Sequence, residues 1–379
     1  GMFAFAIWDE NKQALFRARD PYGIKPLYYA DDGWTVRVAP QVKAILAGGK
    51  VSRVPEPAGI VGFYLLGSVP EPWTTNQDIH AVPAGSTMWV TNTGSTEPKQ
   101  YFSIAKVWQQ AGAYKGSTKD IQQQIREALL DSVRDHMIAD VQLGAFLSAG
   151  IDSTSLVGLM SELTPDKKKL KTITLAFEEY KGTESDEAPL AEKVAQLYGT
   201  DHTTRYVTEQ EFLSDLPAIM EAMDQPTIDG INTWYVAKAA RELGLKVAIS
   251  GLGGDELFGG YPSFRDVPRW VKAMWLPSRV PLLGGAVRRL LGHAVKHASL
   301  SPKISGMVKY GGYWGGAWYL RRGLFMPWEL EKFMAPDIVR QGLQRLRFEH
   351  LINRELYPDP GCAFAKVSTL ESSLYMRNQ

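Results

Sequence analysis

Apolar and polar positions divide this chain into two textures. From residue 1 to about residue 100, short β-prone runs ("FAFAIW", "ALFRA", "LYYA", "WTVRVA", "GIVGFYLL", "STMWVT") alternate with Asp-Glu-Asn-Lys, Asp-Pro-Tyr-Gly, Asp-Asp-Gly and Thr-Asn-Thr-Gly. Turn signals at this spacing predict antiparallel sheet, with "SRVPEPAG" and "VPEPWTT" as Pro-rich connectors. Residues 111–117, "AGAYKGS", read as a linker. A helix follows: Ser117 stands three residues before Asp120 as in a capping box, and Ile121, Ile125, Leu129, Val133 and Met137 recur on one face.

Strand and helix patterns then alternate. Strands are predicted over 141–147, 170–177, 203–207 and 246–250, with helices over 154–163, 186–198, 210–223 and 233–243. This alternation predicts a parallel sheet covered on both faces, with ligands at the carboxyl ends of its strands. Beyond about residue 262 the chain is helical and basic up to residue 300 and contains Trp270 and Trp275. Solvated Arg and Lys on amphipathic helices explain that stretch without a nucleic-acid partner.

Composition narrows the class. The 379 residues suit two domains, and 45% hydrophobic with 22% charged residues is ordinary globular usage. A net charge of +1 gives no global attraction to nucleic acid or an anionic membrane. The single cysteine, Cys362, excludes an intramolecular disulfide and a Cys-based zinc site, and is read as a small packed residue in a reducing, cytoplasmic setting. No leader or membrane-spanning pattern is visible. The six histidines, among them His136, His202, His293 and His297, show no metal spacing. The chain starts on a strand pattern and stops inside a helical one, so both ends are expected to be cut.

Two turns carry candidate chemistry. In "LGAFLSAGIDSTSLVGLM", an apolar strand ends at Leu147 and hands over through Ser148-Ala149-Gly150 to a helix. Small residues let a ligand approach the backbone, and N–H groups at a helix start attract anions. The same turn is equally readable as a capped helix, with Asp152 or Ser153 satisfying orphan donors. The Walker-type phosphate loop is absent. In "VAISGLGGDELFGGY", a second strand ends in Ser250-Gly251-Leu252-Gly253-Gly254 and is followed by Asp255 and Glu256. Two such turns on neighbouring strands would face one ligand, and Asp152 with Asp255 would share Mg²⁺.

These residues carry a family resemblance. "FLSAGIDSTS" resembles the pyrophosphate-binding loop of the ATP pyrophosphatases. "SGLGGDELFGGY" resembles the second signature of glutamine-hydrolysing asparagine synthetases, and "ARDPYGIKPLYY" resembles the downstream half of their glutaminase domain. The resemblance implies an α/β fold: a parallel-sheet ATP-pyrophosphatase domain over residues 117–379, incomplete at its C-terminus. It would be preceded over residues 1–105 by a partial antiparallel α+β glutaminase sandwich of the Ntn-hydrolase type.

It further implies a carbon–nitrogen ligase of asparagine biosynthesis. Aspartate would be activated by ATP as an acyl-adenylate with release of pyrophosphate, then aminated by glutamine-derived ammonia. Carried over by position, Leu147, Leu175, Ser250 and Gly251 would surround the adenosine, and Ser148, Gly150, Asp152 and Ser153 the phosphates. Asp152 and Asp255 would hold magnesium. Asp224, Thr227 and Asp229 in "MDQPTIDGINT" fall on the substrate side, or are ordinary residues of a turn and helix start. Glu371, Tyr375 and Arg377, where the resemblance continues toward helices that reach the adenylate, line that region or, on the plainer reading, pack the helix.

Three departures modify the expectation. Ala149 replaces a Gly of the loop, a mild change. Leu252 stands where asparagine synthetases carry Asp or Glu, which opens the acceptor to carboxylates other than aspartate. The N-terminal Cys nucleophile of the glutaminases is absent, so this chain is expected to bind nucleotide without hydrolysing glutamine. A related adenylating amidotransferase or cyclase and a non-catalytic interaction module remain alternatives. Partners are expected to be small molecules, without nucleic acid or membrane, and a homodimer is left open.

Overall fold

The computed structural model describes residues 1–112, 116–166, 169–280 and 301–378. The predicted helical, basic stretch up to residue 300 lies from residue 281 onward outside the described residues, as do His293, His297 and the middle of the predicted linker. By packing, the chain forms two units: Gly1–Ala111 with Asp224–Ile228 and Glu256–Gln379, and Gly112–Met223 with Asp229–Asp255.

The first unit begins with an antiparallel sheet. Strand β1 (Ala4–Asp9) pairs with β2 (Ala14–Arg19), and further strands complete a second small sheet: β3 (Tyr28–Asp31) lies between β4 (Val36–Ala39) and β5 (His80–Ala81). Strand β2 continues to β6 (Ser86–Thr91), which also pairs with β7 (Gly94–Ser95) and β8 (Lys99–Gln100). The "RDPYGIK" stretch is a turn built around two buried charges. The Asp20 carboxylate accepts the N–H groups of Tyr22, Ile24 and Lys25 at 3.1, 3.0 and 2.9 Å, and the Arg19 guanidinium donates to the Gly23, Lys25 and Val82 carbonyls and pairs with Glu71.

One predicted strand is a helix. "GIVGFYLL" lies in α2 (Pro57–Leu66), after the short α1 (Val42–Ala47), which the pattern did not announce. Helix α2 starts in the connector itself: Pro57 is its first residue, and the Glu56 carboxylate caps Ala58 N–H at 2.9 Å. It reads as a strand because it is apolar all round, which erases the 3.6-residue period. The cause is burial: Ala58, Val61, Leu65 and Leu66 share a core with Val267, Trp318, Tyr319 and Leu346 of the C-terminal third. Gly342 permits the contact, since a Cβ there would overlap Val61 and the Pro57 carbonyl.

The unit also contains α3 (Ile104–Gln110) and C-terminal helices including Trp314–Arg322, Pro336–Leu346 and Ala363–Leu370. Cys362 is exposed rather than packed, because it is the residue just outside the start of the last of these helices.

The second unit is an α/β layer structure, as the alternation predicts. Its parallel sheet has the order β11 (Asp201–Val207), β10 (Lys171–Phe177), β9 (Leu143–Phe146), β12 (Val247–Ile249). Helices α4 (Thr118–His136), α5 (Ile151–Leu163) and α6 (Ala188–Tyr198) build a core with Ala145, Leu147 and Leu170. Separate clusters pack α7 (Glu209–Ala222) and α8 (Gly230–Glu242) against Ile173 and Val207. The Ser117–Asp120 capping box is present in both directions. Of the predicted α4 stripe, Val133 is buried, whereas Ile121 and Ile125 are exposed.

Candidate nucleotide site

Strand order places the two turns. The chain adds β10 and β11 on one side of β9, then returns to lay β12 on the other side. In an open parallel sheet the loops leaving the carboxyl ends at such a reversal diverge and leave a crevice for ligand. The loops leaving β9 and β12 are the two Ser/Gly turns.

The first turn is held together by Ser153. Its Oγ, nearly buried, accepts from Ser148 N–H at 3.1 Å, lies 2.9 Å from Ser148 Oγ, and sits 3.1 and 3.2 Å from the Ser148 and Gly150 carbonyls to which it can donate. Ser148 Oγ also accepts from Gly150 N–H at 3.2 Å. Gly150 is the N-cap of α5, and no side chain caps that helix. Ser153 thus ties the loop together rather than capping α5, and no side chain occupies the N–H groups of that helix's first turn.

The second turn rests directly on the start of α5. A Cβ on Gly251 would stand 2.9 Å from Ser153 N and 3.0 Å from the Asp152 carbonyl carbon, and one on Gly254 would overlap the Asp152 carboxylate. Ser250 Oγ accepts from Leu252 N–H at 3.3 Å, and Gly253 takes a left-handed φ of 102° before α9 (Gly254–Phe258) begins. Asp152 and Asp255 thus come together. Burial, then the charge of Asp255, pushes the Asp152 carboxyl above its ordinary range, against a hydrogen bond from the Asp255 backbone.

Two like-charged oxygen ligands held together suit a hard cation that takes its other ligands from water and phosphate, which describes Mg²⁺. No group of three or more His, Cys, Asp or Glu side chains able to hold a metal occurs among the described residues. A cation here would therefore take its remaining oxygens from water or a bound ligand.

The remaining candidates divide. Leu175 is half-buried and packs toward α7 and α8, while Leu147 lies in the core with its N–H bonded to Ile173 and its carbonyl to Thr174 Oγ1. Ser250 and Leu252 are exposed, Leu252 to 70%. Asp224 is spoken for: it accepts Val42 and Lys43 N–H at 2.8 and 2.9 Å and so caps α1 within the first unit. Thr227 bridges to Ser68 in the same unit, and Asp229 is the N-cap of α8 in the second.

Glu371 is fully buried against Arg322, whose guanidinium lies 4.0 Å from the ring centres of both Tyr261 and Tyr375. Arg377 donates to the Pro21 carbonyl at 3.0 Å, another packing contact. Gly254 was not singled out from sequence, although the Gly253-Gly254 pair before two carboxylates was its signal.

The asparagine synthase family model matches residues 124–359, and a glutamine amidotransferase domain model matches residues 1–102. The chain belongs to the asparagine synthase family. Asparagine synthetase [glutamine-hydrolyzing] 1 of Bacillus subtilis is 34% identical over 275 residues, 70% of this chain and 40% of the relative. A putative asparagine synthetase of Methanocaldococcus jannaschii is 30% identical over 320 residues, 80% of this chain and 60% of the relative. Amidase chry2 of Gibberella zeae is 32% identical over 279 residues, 70% of this chain and 40% of the relative. The asparagine synthase family chain thus spans about half the length of these relatives. No helix among its described residues is long and apolar enough to cross a membrane.

Proposed function

We propose that residues 117–379 form an ATP-pyrophosphatase-type synthetase domain that activates a carboxylate with ATP, and that residues 1–105 are part of a glutaminase domain supplying ammonia in the whole protein. A carboxylate oxygen of the acceptor attacks the α-phosphorus, and the bond to the bridging oxygen breaks so that pyrophosphate leaves with its electron pair. Ammonia then attacks the acyl carbon, AMP leaves, and the nitrogen loses a proton to give the amide. Partners are small molecules, and the setting is cytoplasmic.

The observation that carries this reading is the pair of strand-end turns at the reversal of strand order, packed so closely that a Cβ at 251 would crowd the backbone at the start of α5 and one at 254 would overlap the Asp152 carboxylate. The N–H groups at the start of α5, with Ser148 and Ser153, would take the phosphates, and Ser250 and Gly251, flanked by Leu147 and Leu175, the adenosine. Asp152 and Asp255 would hold Mg²⁺, which when bound offsets phosphate charge. These residues position two anions and hold fixed dipoles where negative charge grows.

Leu252 favours a second reading of the acceptor. An exposed Leu in the turn can neither bind an amine by charge nor move a proton, and one relative bears the name amidase rather than synthetase. Pyrophosphate release by the whole protein, measured with aspartate and a panel of other carboxylates, separates the two. Strict dependence on aspartate removes the second reading, and release with none of them, despite Mg-ATP binding, removes adenylation.

A further inference from the structure

The first unit contains an open cavity of ≈ 680 Å³ lined by Trp73, Gln341, Gln344, Arg345 and Arg347. Gln341, Gln344 and Arg345 stand at i, i+3 and i+4 of the helix Pro336–Leu346, so one helical face supplies two amides and a guanidinium. Arg345 is fixed from behind. Its Nη2 donates to Glu56 Oε2 at 2.7 Å, and the other oxygen of that buried carboxylate is held by Ala58 N–H at 2.9 Å. The guanidinium lies 5.5 Å from the centre of the Trp73 ring.

Arg347 differs from its neighbour. It is exposed, with a left-handed backbone at φ 46° and ψ 52°, a conformation unfavourable for a side chain bearing Cβ and kept only where the surroundings enforce it. No charged or hydrogen-bonding side-chain partner meets its guanidinium among the described residues. It also lines a second cavity of ≈ 390 Å³. There Lys309 is already paired with Glu349 at 2.7 Å. Glu56 offsets Arg345, so Arg347 is the one uncompensated charge of the larger cavity.

One free guanidinium, two amides and an indole ring describe a particular ligand chemistry. We propose that this cavity binds a small monocarboxylate carrying a flat ring, its carboxylate on Arg347 and its ring against Trp73. A guanidinium meets a carboxylate through two parallel hydrogen bonds, and the indole face favours an offset ring. The volume lies within the range of small-molecule sites. A nucleotide would bring several negative charges to one unpaired cation.

The test titrates the full chain with indole-3-carboxylate, the neutral indole-3-carboxamide, AMP and inorganic phosphate. It follows the Trp73 indole N–H resonance, assigned through Trp73→Phe, with calorimetry in parallel. Indole-3-carboxylate is expected to shift that resonance saturably and the carboxamide to bind at least about tenfold more weakly, the loss of one charged hydrogen-bonded pair. Arg347→Gln should weaken binding by at least about the same factor. Arg347→Gly removes the cation while relieving the left-handed backbone, so it should abolish binding in a protein at least as stable as the parent. An unmoved Trp73 resonance at millimolar carboxylate, unchanged affinity in Arg347→Gly, or a stronger Trp73 response to AMP or phosphate would each overturn the assignment.

Discussion

Gly251→Ala isolates the contact on which the candidate site depends. The added methyl would lie 2.9 Å from Ser153 N, 3.0 Å from the Asp152 carbonyl carbon and 3.2 Å from Asp152 Cβ. Gly251 does not occupy the left-handed region, so the cost is crowding rather than backbone strain. Nonbonded carbon contacts settle near roughly 3.5–4.0 Å, and two of these three atoms belong to backbone that cannot rotate away. Overpacking of this kind costs about 1–3 kcal/mol, and loss of glycine freedom in the unfolded chain returns about 0.4–1 kcal/mol. The net expectation is a destabilisation of about 1–2 kcal/mol, read by urea unfolding with hydrogen exchange followed in β9 and α5. Gly112→Ala, with nothing within 4 Å of its Cβ, is the control and should be neutral or stabilising by up to about 1 kcal/mol. The displaced turn carries Asp255, so Mg-ATP affinity should fall about tenfold, equivalent to about 1.4 kcal/mol. A Gly251→Ala protein as stable as the parent, binding Mg-ATP equally well, would refute the packing of the two turns.

Asp152→Asn should raise the unfolding midpoint of the ligand-free chain while weakening Mg-ATP binding in calorimetry, because burial and the Asp255 charge disfavour the ionised carboxylate. His202, whose Nδ1 lies 2.9 Å from Thr172 Oγ1, is pushed below its ordinary value of 6.5 by burial, with Glu192 opposing. The unfolded chain then takes up the proton first, so this stability is complete above pH 6.5 and lost as pH falls below it. His202→Asn should flatten the stability profile there, and an unchanged slope counts against the reasoning. Glu211, bonded to Arg205 and Lys238, is lowered from 4.5 to about 2, mainly by Arg205. Its contribution is present above pH 4.5 and lost towards pH 2, so Glu211→Gln should flatten that acid limb in chemical denaturation.

The parallel-sheet unit was legible because each layer leaves its own signature. The inner strands β9 and β10 are largely buried and carry apolar residues, helices show one apolar face, and Ser117 with Asp120 marks a start that the structure reproduces. Helix α2 reads as a strand for the opposite reason: apolar all round, with none of its residues exposed, it carries no period. The role of Asp224 was hidden by distance along the chain, since the helix it caps lies about 180 residues earlier. Within the site, the sequence located the turns but left a helix cap and an anion cradle equally open. That choice depends on where the Ser153 hydroxyl goes, which is a matter of geometry.

The most direct measurement is Mg-ATP binding to this chain, followed by calorimetry and by amide hydrogen exchange. The account predicts one saturable site, protection confined to the Ser148–Ser153 and Ser250–Asp255 turns, and loss of both signals in the Asp152→Asn, Asp255→Asn double variant. A folded chain that binds no Mg-ATP, or binds it with protection elsewhere and full retention in the double variant, would contradict the account.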